Sequence, residues 1–80
     1  MTRQEIYGTL TEVFRDVFDD EEIVLQDSTT AADIEDWDSL THITLLSAIE
    51  DEFGINFNMK AVQGLKDVGA MVDVIEGLVK

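Results

Sequence analysis

The stretch WDSLTHITLLSAIEDEFG, from Trp37 to Gly54, decides the fold. Leu40, Ile43, Leu46, Ile49 and Phe53 recur at helical spacing, with Leu45 alongside, and so share one broad apolar face. The spacing predicts a helix from Ser39 to about Phe53, with Gly54 as the residue that ends it. That helix starts where a long acidic connection stops, and Ser39 stands at the junction. A hydroxyl there is accessible to solvent and faces the unpaired N–H groups and positive dipole end of a first helical turn. The place suits a phosphate ester on the serine oxygen. It equally suits an ordinary helix-capping serine with no chemistry.

Upstream, Thr2-Arg3-Gln4-Glu5 reads as a capping box. Ile6, Leu10, Val13, Phe14, Val17 and Phe18 follow at helical spacing, which predicts a first helix from about Arg3 to Phe18. Four like charges, Asp19-Asp20-Glu21-Glu22, oppose the dipole at its C-terminus and end it. The connection from Asp19 to Asp38 is long for a bare loop, so Ile23, Val24, Leu25 and Ile34 are expected to pin it onto the core. Asp27-Ser28-Thr29-Thr30 reads as a turn. Downstream, Ile55-Asn56-Phe57 reads as a short extended link. Asn58 is placed to cap a brief third helix over Met59 to Gln63, ended by Gly64. Asp67 is placed to cap a last helix whose Val68, Met71, Val72, Ile75, Leu78 and Val79 form a core-facing stripe. The expected fold is all-α, one domain over residues 1–80: a small bundle of three principal helices plus one short helix, with a long loop between helices 1 and 2.

Composition narrows the function. The 80 residues are 45% hydrophobic, enough for a small core despite the charge. There is no cysteine, hence no disulfide, thiolate metal site or cysteine nucleophile. The polar N-terminus does not read as a signal peptide, and no apolar run is long enough to cross a bilayer. A cytoplasmic monomer is the expectation. The formal net charge is −13, and its distribution is uneven. Residues 16–59 hold thirteen of the eighteen acidic residues and no lysine or arginine, while the acids and bases outside that window balance. Such a field repels nucleic acid and anionic membrane and speeds encounter with basic protein partners. Solubility alone is the plainer explanation.

His42 lies one turn after Ser39, which raises a serine–histidine pair. No Gly-x-Ser-x-Gly elbow surrounds the serine, and so small a core leaves little room for a substrate pocket, so a solvated surface histidine is expected. A calcium loop begun at Asp33 would place ligands on Glu35 and Trp37 and lacks the required glycine, so no EF-hand, and no metal site, is expected.

Asp38-Ser39-Leu40, then Ile43, Leu45-Leu46, Ile49-Glu50 and Phe53-Gly54-Ile55, resembles the acyl and peptidyl carrier proteins over nearly the whole chain. Helix count, helix order, the long first loop and length agree with that family as well. The resemblance implies that Ser39 carries a 4′-phosphopantetheine arm, added from coenzyme A by a phosphopantetheinyl transferase. The arm's thiol would hold an acyl or aminoacyl group as a thioester, so the reactive sulfur belongs to the cofactor. The domain would be a carrier and not an enzyme, delivering acyl intermediates to loading, condensing or transferring enzymes of fatty acid, polyketide or another specialised pathway. By the same resemblance Asp38 helps position the transferase's cofactor and metal, besides its helix-start electrostatics, and Asp38 and Leu40 flank the attachment serine as cofactor-site residues that guide recognition. Leu40 docks partners or packs in the core, and Ile43 serves either purpose. With Ser47, Glu50 and Asp51 these residues form the expected docking side, facing basic patches on partners. Trp37 is expected to brace the loop against the bundle.

The family often has an acidic residue where Thr44 stands, a bulky apolar one at Ser47 and a small one at Trp37. The Trp-Asp-Ser-Leu form is similar to free-standing carriers dedicated to one specialised pathway. Two further readings stay open: an aminoacyl or peptidyl carrier, and an acidic non-covalent module that acts as a decoy of a basic surface.

Overall fold

The computed structural model describes residues 2–62 and 65–79, all helix and connection. Helix α1 spans Arg3–Phe18, α2 Ser39–Phe53, α3 Met59–Val62 and α4 Val68–Leu78. A 3₁₀ turn, Ala31–Asp33, interrupts the long loop, opened by Thr30 and Asp33, whose carboxylate accepts the Thr30 N–H at 2.9 Å. Gln63 and Gly64, expected to close and end the third helix, lie outside the described residues.

The caps explain why the helices begin and end where they do. Thr2 Oγ1 accepts the Glu5 N–H at 3.2 Å and the Glu5 carboxylate accepts the Thr2 N–H at 2.8 Å, the reciprocal box expected of that tetrapeptide. Asp19 closes α1 in the left-handed conformation (φ 50°), one that a short polar side chain tolerates better than most. Gly54, at φ 66°, closes α2. The Asn58 side chain accepts the Lys60 N–H at 2.9 Å, and Asp67 accepts the Ala70 N–H at 2.9 Å.

Helix α1 packs against both α2 and α4, and α3 leans on α4. Ile6, Leu10 and Phe14 meet Leu45 and Ile49 of α2 and Met71, Val72 and Ile75 of α4 in a fully enclosed core. Ile23, Leu25 and Ile34 pin the loop to it, while Val24, expected to join them, points outward. Adjacent residues of an extended segment face opposite ways, so Ile23 and Leu25 go in and Val24 goes out. Leu78 is likewise exposed, at the last position of α4.

The loop is bonded to α4 as well as packed on the core. The Val68 N–H donates to the Thr29 carbonyl at 2.8 Å and the Gly69 N–H to the Asp27 carbonyl at 2.9 Å. Two of the helix's orphan donors are thus satisfied by the loop, and Asp67 satisfies a third. Arg3 completes the junction, donating to Asp27 at 3.0 Å and to Asp73 at 2.8 Å, and the Tyr7 hydroxyl donates to Asp27.

Candidate functional site

Asp38, not Ser39, is the capping residue of α2. One oxygen of its carboxylate accepts the N–H groups of Leu40 at 2.9 Å and Thr41 at 3.0 Å. Thr41 Oγ1 returns the bond by accepting the Asp38 N–H at 2.7 Å and donates onward to the Asp36 carbonyl at 2.8 Å. These bonds, that from Thr41 N–H first, hold the Asp38 carboxyl below the usual carboxylate range. The reading of Ser39 as a helix cap is therefore corrected. Ser39 occupies the first helical position, its side chain is exposed, and its hydroxyl has no partner among the described residues. The hydroxyl is left free because the aspartate before it does the capping.

Trp37 holds the junction in place. Its ring meets Phe14 edge-on at 5.3 Å between centroids and lies 6.4 Å from Phe18, so the indole fixes the end of the loop against α1. Its Nε1–H donates to His42 Nδ1 at 3.1 Å, and the imidazole stacks alongside at 5.9 Å. His42 is consequently not the solvated surface histidine expected: it is half-buried and bound to the indole. No hydrogen bond joins it to Ser39 among the described residues, so the pair offers no nucleophile–base couple.

Beyond Ser39 an open cleft of about 410 Å³ runs between the start of α2 and the segment before α4. Trp37, Asp38, Ser39 and His42 line it together with Ala31, Leu65 and Lys66. Residues 65 and 66 are some 26 positions away in sequence, and no spacing rule connects them to Ser39, so sequence reasoning missed them. A linear group leaving the Ser39 oxygen has an open path and one cationic wall.

Along α2 an exposed stripe leads away from Ser39. Leu40 is 78% exposed and Ile43 63%, so neither belongs to the core face on which the spacing placed them. Thr44, Ser47 and Asp51 continue the stripe in solvent. Two large aliphatic side chains thus stand in water on the helix that Ser39 opens. Glu50 departs from this group. It is half-buried, and its carboxylate accepts the Phe57 N–H at 2.8 Å, tying the link after α2 back onto the helix. Its first task is structural. Among the described residues no cluster of acidic or histidine side chains suits a metal ion, and no helix is long and apolar enough to cross a membrane.

The family described as the phosphopantetheine attachment site matches residues 8–75. The solution NMR structure of a holo acyl carrier protein from Geobacter metallireducens superposes with a TM-score of 0.85 at 41% identity, covering 91% of this chain and 84% of that one. No curated protein matches. The chain belongs to the phosphopantetheine attachment family, and its fold is that of an acyl carrier protein.

Proposed function

We propose that this acyl carrier protein bears its covalent 4′-phosphopantetheine on Ser39 and presents acyl cargo to partner enzymes along the exposed stripe of α2. The observation that carries the reading is the division of labour at the junction. Asp38 takes the helix cap, which leaves the Ser39 oxygen exposed and unbonded beside an open cleft. The group fits there, since the attachment needs only a free hydroxyl and an unobstructed exit. When attached, it supplies the terminal thiol on which an acyl group is held as a thioester. The domain is a carrier and not an enzyme, and its residues position, expose and steer.

Each residue's part follows from its surroundings. Asp38 fixes the first turn of α2 and so the direction in which Ser39 projects. Trp37 and His42 brace that turn from behind. Leu40 and Ile43 give a partner an apolar contact, and Ser47 and Asp51 extend it along the helix. The −13 net charge supplies long-range attraction to a basic face, for the transferase that installs the arm and for the enzymes that load or unload it. A stripe with Thr44 and Ser47 in place of acidic and bulky residues supports docking to enzymes of one specialised acyl pathway in preference to the general fatty acid enzymes.

Loading rates test this reading. With a phosphopantetheinyl transferase and coenzyme A, Leu40→Ser and Asp51→Lys should slow arm transfer about tenfold or more while leaving the fold intact, as a loss of about 1.4 kcal/mol in the encounter would do. Unchanged rates for both variants would remove the α2 stripe as the docking face. The decoy reading makes a separate claim, that binding to a basic surface survives Ser39→Ala and needs no arm.

A further inference from the structure

A phosphate bonded to Ser39 would ordinarily be held by the N–H groups of the helix it starts. Here that device is already in use. The Leu40 and Thr41 N–H groups both donate to the Asp38 carboxylate, and the His42 N–H donates to the Asp38 carbonyl at 2.9 Å. Asp38 also places a negative charge beside the serine, within a segment of 44 residues that contains no lysine or arginine. A phosphodiester on Ser39 therefore shares its helix start with the Asp38 carboxylate, and α2 holds no lysine or arginine to balance it. A lysine or arginine to balance it can come only from outside that segment. Lys66 supplies one: it lines the same cleft as Ser39, is exposed, and makes no ion pair among the described residues. The neighbouring Asp67 is turned away, capping α4 through Ala70.

We infer that Lys66 is the counter-ion of the arm's phosphodiester, drawing the first part of the arm across the cleft toward Leu65 and the segment before α4. This rests on the assignment of Ser39 as the attachment residue. Lys66 is a positioning residue: it takes no part in the transfer chemistry and sets where the arm leaves the protein. Leu65, half-buried beside it, offers the arm's apolar part a surface next to the ammonium. The consequence is a carrier whose arm lies in the cleft at low salt and is freed by salt, or by a partner's own cation competing for the phosphate.

The test is phosphorus NMR on the loaded protein, comparing wild type with Lys66→Gln, Lys66→Arg and, as a control for bulk charge, Lys60→Gln. The expected result is a displaced phosphodiester resonance in Lys66→Gln, with Lys66→Arg close to wild type and Lys60→Gln superimposed on it. Salt should move the wild-type resonance toward the Lys66→Gln position as the screening length falls to about 3 Å near 1 M, and leave Lys66→Gln unmoved. Magnetisation transfer between the Lys66 side-chain protons and the arm should appear in the wild type, which tests the contact without any substitution. Intact mass separates the two claims. A loaded wild type with a salt-insensitive resonance, identical in Lys66→Gln, and no transfer to Lys66 overturns the counter-ion alone. A folded protein that gains no arm at Ser39 overturns the attachment assignment and the counter-ion with it.

Discussion

At the junction of loop and α2, two neighbouring side chains carry out tasks that a single serine would have to combine. Asp38 satisfies two backbone donors, and Ser39 is left with none to satisfy. Two substitutions should therefore separate cleanly. Ser39→Ala should change unfolding stability by no more than about 0.5 kcal/mol, since an exposed first-turn alanine is a good helix former, and should abolish loading. Asp38→Ala should lower the midpoint of thermal unfolding visibly, because Leu40 and Thr41 lose their acceptor. Calorimetry on the pair checks this, and an equal loss for both would return the cap to Ser39. The Asp-Ser-Leu triplet points to the junction where α2 starts, and the cap there falls to Asp38 instead of the serine that the junction also suited. Asp38 and Thr41 form a box in which aspartate precedes threonine by three, a signal present in the sequence. Lys66 was not legible, because only the turn of the chain after α2 brings it near Ser39.

Among the helices, α4 meets the long loop at a close seam. A Cβ built on Gly69 would lie 2.9 Å from the Asp27 carbonyl oxygen, a backbone atom already bonded to the Gly69 N–H. Gly69→Ala must push the loop away and should cost about 1–3 kcal/mol. Gly8→Ala on α1 meets nothing within 4 Å and should stabilise by about 0.5–1 kcal/mol through helix propensity alone. Denaturant titration of the two variants gives opposite shifts in midpoint if the seam is as described. The bond from Phe57 to Glu50 gives a second contrast: Glu50→Lys should cost about 1 kcal/mol and Asp51→Lys almost nothing. Helix order, and the bounds of α1 and α2, followed from periodicity and capping residues. The faces followed less well. Period alone assigns Leu40 and Ile43 to the core side, yet Leu45, Leu46 and Ile49 are the buried residues of α2 while Leu40 and Ile43 stand in solvent.

For the molecule as a whole, charge sets the dependence on pH and salt. Asp27 is held below the usual carboxylate range, first by the Tyr7 hydroxyl and then by Arg3; Glu5 is held down by the Thr2 N–H and Asp38 by that of Thr41. A depressed carboxyl stabilises the fold above its unfolded value and loses that contribution as pH falls through the folded value. Tyr7 works on the opposite limb. Burial, then Asp27, pushes its phenol up to about 12, so its contribution is complete below about 10 and is lost as pH rises through about 12. Unfolding midpoints should therefore fall below about pH 4, where the three acids protonate, and again above about pH 10. Near neutrality, raising ionic strength from about 0.01 to 0.15 M should raise the midpoint, because screening shortens from about 30 to 8 Å while the net charge is −13. A midpoint insensitive to salt would mean that the acidic window is already neutralised by contacts within the fold.

The central claim is that one exposed serine, released from capping, bears the arm. The most direct measurement is to load the wild-type protein with a phosphopantetheinyl transferase, magnesium and coenzyme A, digest it, and locate the added group by fragment mass. A single phosphopantetheine is expected on Ser39 and none on the Ser39→Ala protein. An arm on Ser28 or on Ser47 of the exposed stripe, or no arm on a folded sample after several transferases, would contradict it.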